Sequence, residues 1–430
     1  MLSAVDVNDF HAQHEELFPE CTDQDDISTP GLTEPHQDVE PAKIGDGDML
    51  LVKISNPEKV GDGMFAFIVY TVKTMTTMSY FKKSTMCVQR RFSDFLGLYE
   101  KLKGKYLPKG IIIPYPPEKN VIGTTKIRIL KNSSADNDFI EKRRQALECF
   151  MNRITTHPIL RKDPSVVEFL EFEGELPKHS SAQVISGATA KRIIRNVGEA
   201  VGKLTFKMDE VDEYFDRKEE ELENWDIQAN RLFYALTNLV ADQHELASAT
   251  QTFSRSISAL ANVEEHTGLA RALGQLADTE DQITQFHAVQ AESESTYLVE
   301  YAKGVLNMMQ ACRETLSERV KMYKVFKDNE SALRGKREQK VRIEMSPKAD
   351  RAKIPTLERE ISELVRRVEE SEEEFETLSS AIKKELEFLD ETRFQEFKSA
   401  AIGFLNTMLK IQENVLKSWE SFLGHAKAIE

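Results

Sequence analysis

The sequence predicts an α+β domain followed by an all-α region of long helices. Three observations carry this. Twelve of the 14 prolines lie at or before Pro177, and only Pro347 and Pro355 follow. Proline removes a backbone donor and clashes inside a helix, so its absence permits very long helices. Three short β-branched and aromatic runs lie between Leu50 and Val88. An apolar 3/4 spacing runs from Leu222 to Leu260, the pattern of a helix with one packed face.

Taken in order, residues 1–45 are polar, acidic and dotted with proline, the composition of a disordered segment. Residues 1–42 hold eleven acids and neither Lys nor Arg, so they carry −11 of the net −15. The remainder is close to balanced. The acidic total argues weakly against nucleic acid as a partner and leaves an anionic membrane open. Residues 46–176 form the mixed domain. Strands are predicted at Leu50 to Ile54, Phe65 to Val72 and Thr85 to Val88, with a turn at Gly61-Asp62-Gly63. Helices follow from Ser93 to about Lys103, from about Asp138 to Thr155, and near Ser165 to Glu171. Residues 177–187 read as a linker and 188–208 as an amphipathic helix.

Residues 209–430 are helical. Of positions 222, 225, 229, 232, 236, 239, 243, 246, 250, 253, 257 and 260, only Gln243 and Thr250 depart from the apolar stripe. A break is expected near Glu265-His266-Thr267-Gly268, and a second helix to about Met345. Pro347 and Pro355 frame a turn. A third helix begins at Thr356 and can continue for 75 residues, about 110 Å. Such helices form an elongated antiparallel bundle. A bundle this slender leaves apolar stripes exposed, so dimerisation is expected.

Cys21, Cys87, Cys149 and Cys312 are far apart with no CxxC pair. They fit a reducing cytosol and predict neither a zinc site nor a disulfide framework. No run approaches 18 apolar residues, so no spanning helix is expected, and the first residues do not read as a secretory signal. No HExxH, GxSxG or phosphate-loop pattern is present.

Three pieces carry cations that can converge on one polyanion. Val88 to Phe95 holds Arg90-Arg91-Phe92-Ser93 at a strand end. Pro114-Tyr115-Pro116-Pro117-Glu118-Lys119 offers a lysine on a stiffened loop. Glu141-Lys142-Arg143-Arg144 brings arginines on a helix. Arg91 suits a bidentate phosphate contact, and Phe92 can lie against a sugar ring. Ser93 is placed to cap the next helix, whose free N–H groups also favour an anion. The chemistry points to a phosphorylated sugar ring such as a lipid headgroup. A surface strand end and an ordinary proline turn fit the same residues.

Two more elements can meet a membrane. In 188–208, Ile193, Ile194, Val197, Val201, Leu204 and Met208 lie near one helical face. Lys191, Arg192, Arg195, Lys203 and Lys207 flank it, as in a helix lying in a bilayer interface. The first packed turns of the bundle are the other reading. Between the second and third long helices, Arg334, Lys336, Arg337, Lys340, Arg342, Lys348, Arg351 and Lys353 outnumber Glu338, Glu344 and Asp350 by five charges. This stretch is either a solvated helix end or a patch attracted to anionic lipid. Glu15-Glu16-Leu17-Phe18 is a candidate docking peptide, or a chance apolar pair.

The order and spacing of Arg-Arg-Phe-Ser-Asp-Phe, Pro-Pro-Glu-Lys and Glu-Lys-Arg-Arg, with Leu147 and Phe150, resemble a phox-homology (PX) domain over about 130 residues. The whole chain, including the ending around Trp419, resembles the sorting nexins that join a PX domain to a BAR domain, the retromer-associated members above all. The resemblance implies a three-stranded antiparallel sheet plus helices, then three long antiparallel helices in a dimeric crescent. It implies that Arg91 holds the 3-phosphate of phosphatidylinositol 3-phosphate and that Phe92 supports the inositol ring. Lys119 would then reach the 1-phosphate, and Arg143 the ring hydroxyls or a further phosphate, with phosphatidylinositol 3,5-bisphosphate the alternative ligand. Tyr115 departs from the usual all-proline run, which puts lipid preference in doubt. The implied activity is non-enzymatic: curvature sensing and tubulation on the cytoplasmic face of early endosomes, in equilibrium with cytosol. It serves endosome-to-trans-Golgi transport with the retromer cargo-selective complex. The implied dimer is a homodimer or a heterodimer with another sorting nexin of this type. A coiled-coil scaffold without remodelling activity is the alternative, and a lipid-modifying enzyme lacks a nucleotide loop or activated nucleophile. No nucleic acid, metal or cofactor is expected.

Overall fold

The computed structural model describes residues 49–61, 66–118, 134–176, 208, 212–345 and 351–428. The acidic stretch 1–45, the linker 177–187, Lys119, Lys348 and all of 188–208 but Met208 lie outside them. The chain divides into two compact units, one of Met1–Lys105 and Ile113–Val197, the other of Tyr106–Ile112 and Gly198–Glu430.

In the first unit β1 (Leu50–Val60), β2 (Phe67–Thr76) and β3 (Thr85–Arg91) form an antiparallel sheet in sequence order. β1 runs past the expected Ile54 because its ladder bulges between Ser55 and Glu58. Asn56 takes a left-handed φ of 46° there, and neither it nor Pro57 is paired in the ladder. A bulge is where a strand tolerates proline, and Asn is among the few residues at ease with positive φ. Gly61, just past the strand, takes φ 80°, and the rest of the turn expected at Gly61-Asp62-Gly63 lies outside the described residues.

Three helices complete the unit: α1 (Phe92–Tyr106), α2 (Ser134–Thr156) and α3 (Pro164–Glu171). α2 packs on β1 and α3 on β3. Phe95 of α1 sits edge-on to Tyr70 at 6.5 Å and to Phe169 at 4.9 Å. Leu102, Leu147, Phe150, Met151 and Ile154 are fully buried around them. Asp163 caps α3 by accepting the Ser165 N–H at 2.7 Å, and Lys105 lies 2.5 Å from its other oxygen.

The second unit holds α4 (Glu213–Val263), α5 (Thr267–Ser293), a π-helical turn (Glu294–Val299), α6 (Glu300–Met345) and α7 (Ile354–Lys427). The break between α4 and α5 falls where expected. His266 Nδ1 accepts the Leu269 N–H at 3.1 Å and so caps α5. α7 starts two residues earlier than predicted, with Pro355 in its first turn, where a missing N–H costs nothing. The π-helical turn is not visible in the sequence pattern. It sets Tyr297 against Gly403 of α7, where an added Cβ would lie 2.3 Å from the ring. Arg319 is buried too, with its guanidinium 3.6 Å over the Phe215 ring and 5.0 Å over Phe375.

The α4 stripe is not packed along its whole width, which corrects the expectation. It separates into two series of period seven. Leu222, Ala229 and Ile257 are buried, while Trp225, Leu232, Leu239, Leu246, Phe253 and Leu260 are exposed. The C-terminal half of α7 exposes Leu405, Leu409, Leu416 and Leu423 in the same way. One series faces this unit's own helices, and the other has no apolar cover among the described residues.

Cys149 is exposed and Cys312 is buried. Among the described residues no metal-ligating cluster forms, and no helix is long and apolar enough to cross a membrane.

Candidate anion-binding site

The two arginine pairs singled out in the sequence each divide in two. Side chains alternate along a strand, so Arg90 and Arg91 at the end of β3 point to opposite faces. Arg90 turns inward and is 1% exposed. Its Nε donates to the Phe169 carbonyl at 2.9 Å, and its Nη1 to those of Gln89 at 2.8 Å and Gly174 at 3.3 Å. Its Nη2 donates to the Phe172 carbonyl. Burial brings its pKa down to about 10, so it remains charged at neutral pH. Arg90 is a fastener for the chain that leaves α3.

Arg91 turns outward, its side chain 23% exposed. Its guanidinium carbon lies 5.2 Å from the Phe67 ring centre. Its backbone N–H donates to Asp94 Oδ2 at 2.9 Å, so the acid three residues on closes the first turn of α1, as in a capping box. This corrects the role expected of Ser93. Ser93 stands inside the helix and is exposed, and Asp94 does the capping. Burial raises the Asp94 pKa, opposed by the Arg91 N–H bond and charge.

The second pair behaves likewise on α2. Arg144 donates to the Ile54 carbonyl at 2.6 Å, and Glu148 accepts the Ile54 N–H at 2.8 Å. Together they satisfy both backbone groups of an edge strand. Arg143 instead lies between two rings, 4.5 Å from the Phe92 centre and 4.3 Å from Phe139. It hydrogen-bonds the Tyr70 side chain, and burial lowers its pKa. Burial pushes the Tyr70 hydroxyl up to about 12, opposed by Arg143, so the phenol stays neutral. Neither Tyr70 nor Phe139 carried a motif that could have identified it.

The structure thus stacks Arg143 on Phe92, the residue that follows Arg91 in the chain, at the N-terminal end of α1. A cation stacked on an aromatic face is oriented as well as held. Two guanidinium groups beside a helix N-terminus can take a polyanion. Tyr115, which interrupts the proline run, packs its ring 5.5 Å from Tyr99 of α1. It thereby ties the proline run to α1.

The helical unit carries its own basic stretch at the end of α6. Lys336 pairs with Glu360 at 2.7 Å and Lys340 with Glu358 at 2.7 Å, both across to α7. These two lysines brace the helix pair. Arg334 and Arg337 are exposed and make no ion pair among the described residues. With Leu333, Val341, Arg342 and Val368 they line an open groove of about 680 Å³. The basic stretch therefore splits between bracing and free cations. Lys353 is exposed, Arg351 opens a single 3₁₀ turn before α7, and Lys348 lies outside the described residues.

A family model described as PX domain matches residues 78–173, and one described as Vps5 C terminal like matches residues 190–425. Sorting nexin-1 of Mus musculus is 38% identical over 406 residues, 94% of this chain and 77% of that protein. Sorting nexin-2 of Bos taurus is 38% identical over 404 residues, with 94% and 77% covered. The cryo-EM structure of the SNX-BAR Mvp1 tetramer superposes with a TM-score of 0.52 at 19% identity, covering 86% of this chain and 99% of that one. It supports the fold: a PX-type sheet and helices, then a BAR-like helical region.

Proposed function

Since the chain belongs to the sorting nexins that join a PX domain to a BAR-like region, a class of non-enzymatic, peripheral membrane-trafficking proteins, we propose that it reads phosphatidylinositol 3-phosphate and membrane curvature together. The carrying observation is Arg91, part-exposed on Phe67 and next in the chain to the Phe92 that stacks on Arg143. In this reading Arg91 takes the 3-phosphate, Phe92 carries the ring, and Arg143 meets a ring hydroxyl or second phosphate. Lys119 supplies the 1-phosphate contact, and phosphatidylinositol 3,5-bisphosphate is the second candidate ligand.

Membrane contact is completed by the basic amphipathic stretch 188–208 and by Arg334, Arg337 and Arg342. A basic residue near an anionic surface contributes about 1 kcal/mol. The exposed heptad series of α4 and the matching series on α7 supply a dimer face, for a homodimer or a heterodimer with a related sorting nexin. Dimerisation doubles weak contacts into one strong one. A stiff bent dimer engages them all only on a suitably curved surface, which accounts for tubulation without catalysis. Family membership supports a place on early endosomal tubules and retrograde transport to the trans-Golgi with retromer. The test is sedimentation with vesicles containing phosphatidylinositol 3-phosphate. Wild type pellets and Arg91→Ala stays in solution; equal pelleting of both sinks the assignment.

A further inference from the structure

Arg91 is not open on every side. Its Nη2 donates to Glu175 Oε2 at 3.1 Å, and its Nε lies 3.5 Å from Asp94 Oδ1. A guanidinium grips a phosphate bidentately through one of two edges, Nε with Nη2 or Nη1 with Nη2. Nη2 belongs to both edges. With Asp94 beside Nε and Glu175 on Nη2, the Nε–Nη2 edge is faced by carboxylates, and a phosphate gains a bidentate grip there only by displacing Glu175.

The two acids differ in what holds them. Asp94 is tied to the fold by the Arg91 N–H. The Glu175 side chain is 75% exposed. The backbone just before it is fixed, because Arg90 fastens the carbonyls of Phe169, Phe172 and Gly174. Glu175 can therefore leave Arg91 by a side-chain rotation, with no unfolding of the chain that carries it.

We propose that Glu175 is a built-in competitor for the phosphate position on Arg91, displaced when an inositol phosphate enters. The proposal rests on the headgroup reading above. A site whose competent form is only partly populated binds more weakly by that fraction. Glu175 thus keeps the affinity of one headgroup site low, so that retention depends on the doubled contacts of a dimer. A phosphate monoester, with about −1.5 to −2 charges and three acceptor oxygens, can displace a single carboxylate.

The experiment is a double-mutant cycle in the full chain over Glu175→Gln and Arg91→Ala. Two probes separate membrane-borne from free ligand: phosphatidylcholine vesicles containing phosphatidylinositol 3-phosphate, and soluble inositol 1,3-bisphosphate by calorimetry. An exposed pair of this kind predicts that Glu175→Gln binds both probes about twofold to fivefold more tightly. In the Arg91→Ala background the same change has no effect. Unchanged or weaker binding by Glu175→Gln overturns the proposal while leaving the headgroup reading intact. Equal tightening in the Arg91→Ala background also overturns it, since the effect would then be general charge removal. Binding of neither probe by either wild type or Glu175→Gln overturns the headgroup reading and the proposal with it.

Discussion

Arg90 and Arg91 are adjacent and identical in chemistry, yet their removal should produce opposite phenotypes. Arg90→Ala removes a buried guanidinium that donates to four main-chain carbonyls and lies 5.4 Å from the Phe169 ring centre. Hydrogen bonds from a charged donor contribute about 1.5–3 kcal/mol each and do not add fully. The carbonyls it leaves unpaired cost about 1–3 kcal/mol more, and we take about 3–5 kcal/mol in all for Arg90→Ala. At roughly 3 °C per kcal/mol for a domain of this size, the α+β unit should melt about 10 °C lower or more. Arg91→Ala loses contacts to Glu175 and Asp94, the first of them largely exposed, and exposed pairs contribute about 1 kcal/mol or less. Its melting point should move by only a few degrees while headgroup binding is lost. Differential scanning calorimetry of the full chain, paired with vesicle sedimentation, reads both quantities. Equal melting losses for the two variants would refute the division of labour, as would an Arg90→Ala protein of wild-type stability that no longer binds.

The remaining predictions concern the helical unit. Gly403→Ala should destabilise it by about 1–3 kcal/mol, because the new methyl meets the Tyr297 ring; helical circular dichroism through a denaturant titration would show no shift if the contact were soft. Arg334→Glu with Arg337→Glu should abolish tubulation in electron micrographs at unchanged helix content, since both cations are exposed and make no ion pair among the described residues. Lys336→Glu should instead lower thermal stability, because Lys336 braces α6 against Glu360; equal behaviour of the two variants contradicts that split. Leu239→Glu and Leu246→Glu together should give a monomer by sedimentation velocity, as both sit in the exposed heptad series, and a persistent dimer would place the interface elsewhere.

Much of this molecule was legible one residue at a time. Proline placement marked the long helices, and period-two and period-3.6 patterns marked strands and helix faces, because these signals are local and repeat. The break at His266 and the start of α7 near Pro355 were readable for the same reason. Local pattern does not say which of two adjacent arginines turns inward, since that depends on where a strand ends against a distant carbonyl. Arg90 and Arg91 were separated only when the chain after α3 folded back onto β3. Arg143 and Arg144 were separated only when α2 met the edge of β1. The same holds for Tyr297 against Gly403, a contact across more than a hundred residues, and for the α4 stripe, whose spacing announced a packed face without saying that half of it is exposed among the described residues. Sequence periodicity records which residues need cover; what covers them is decided by elements far apart in the chain and close in space.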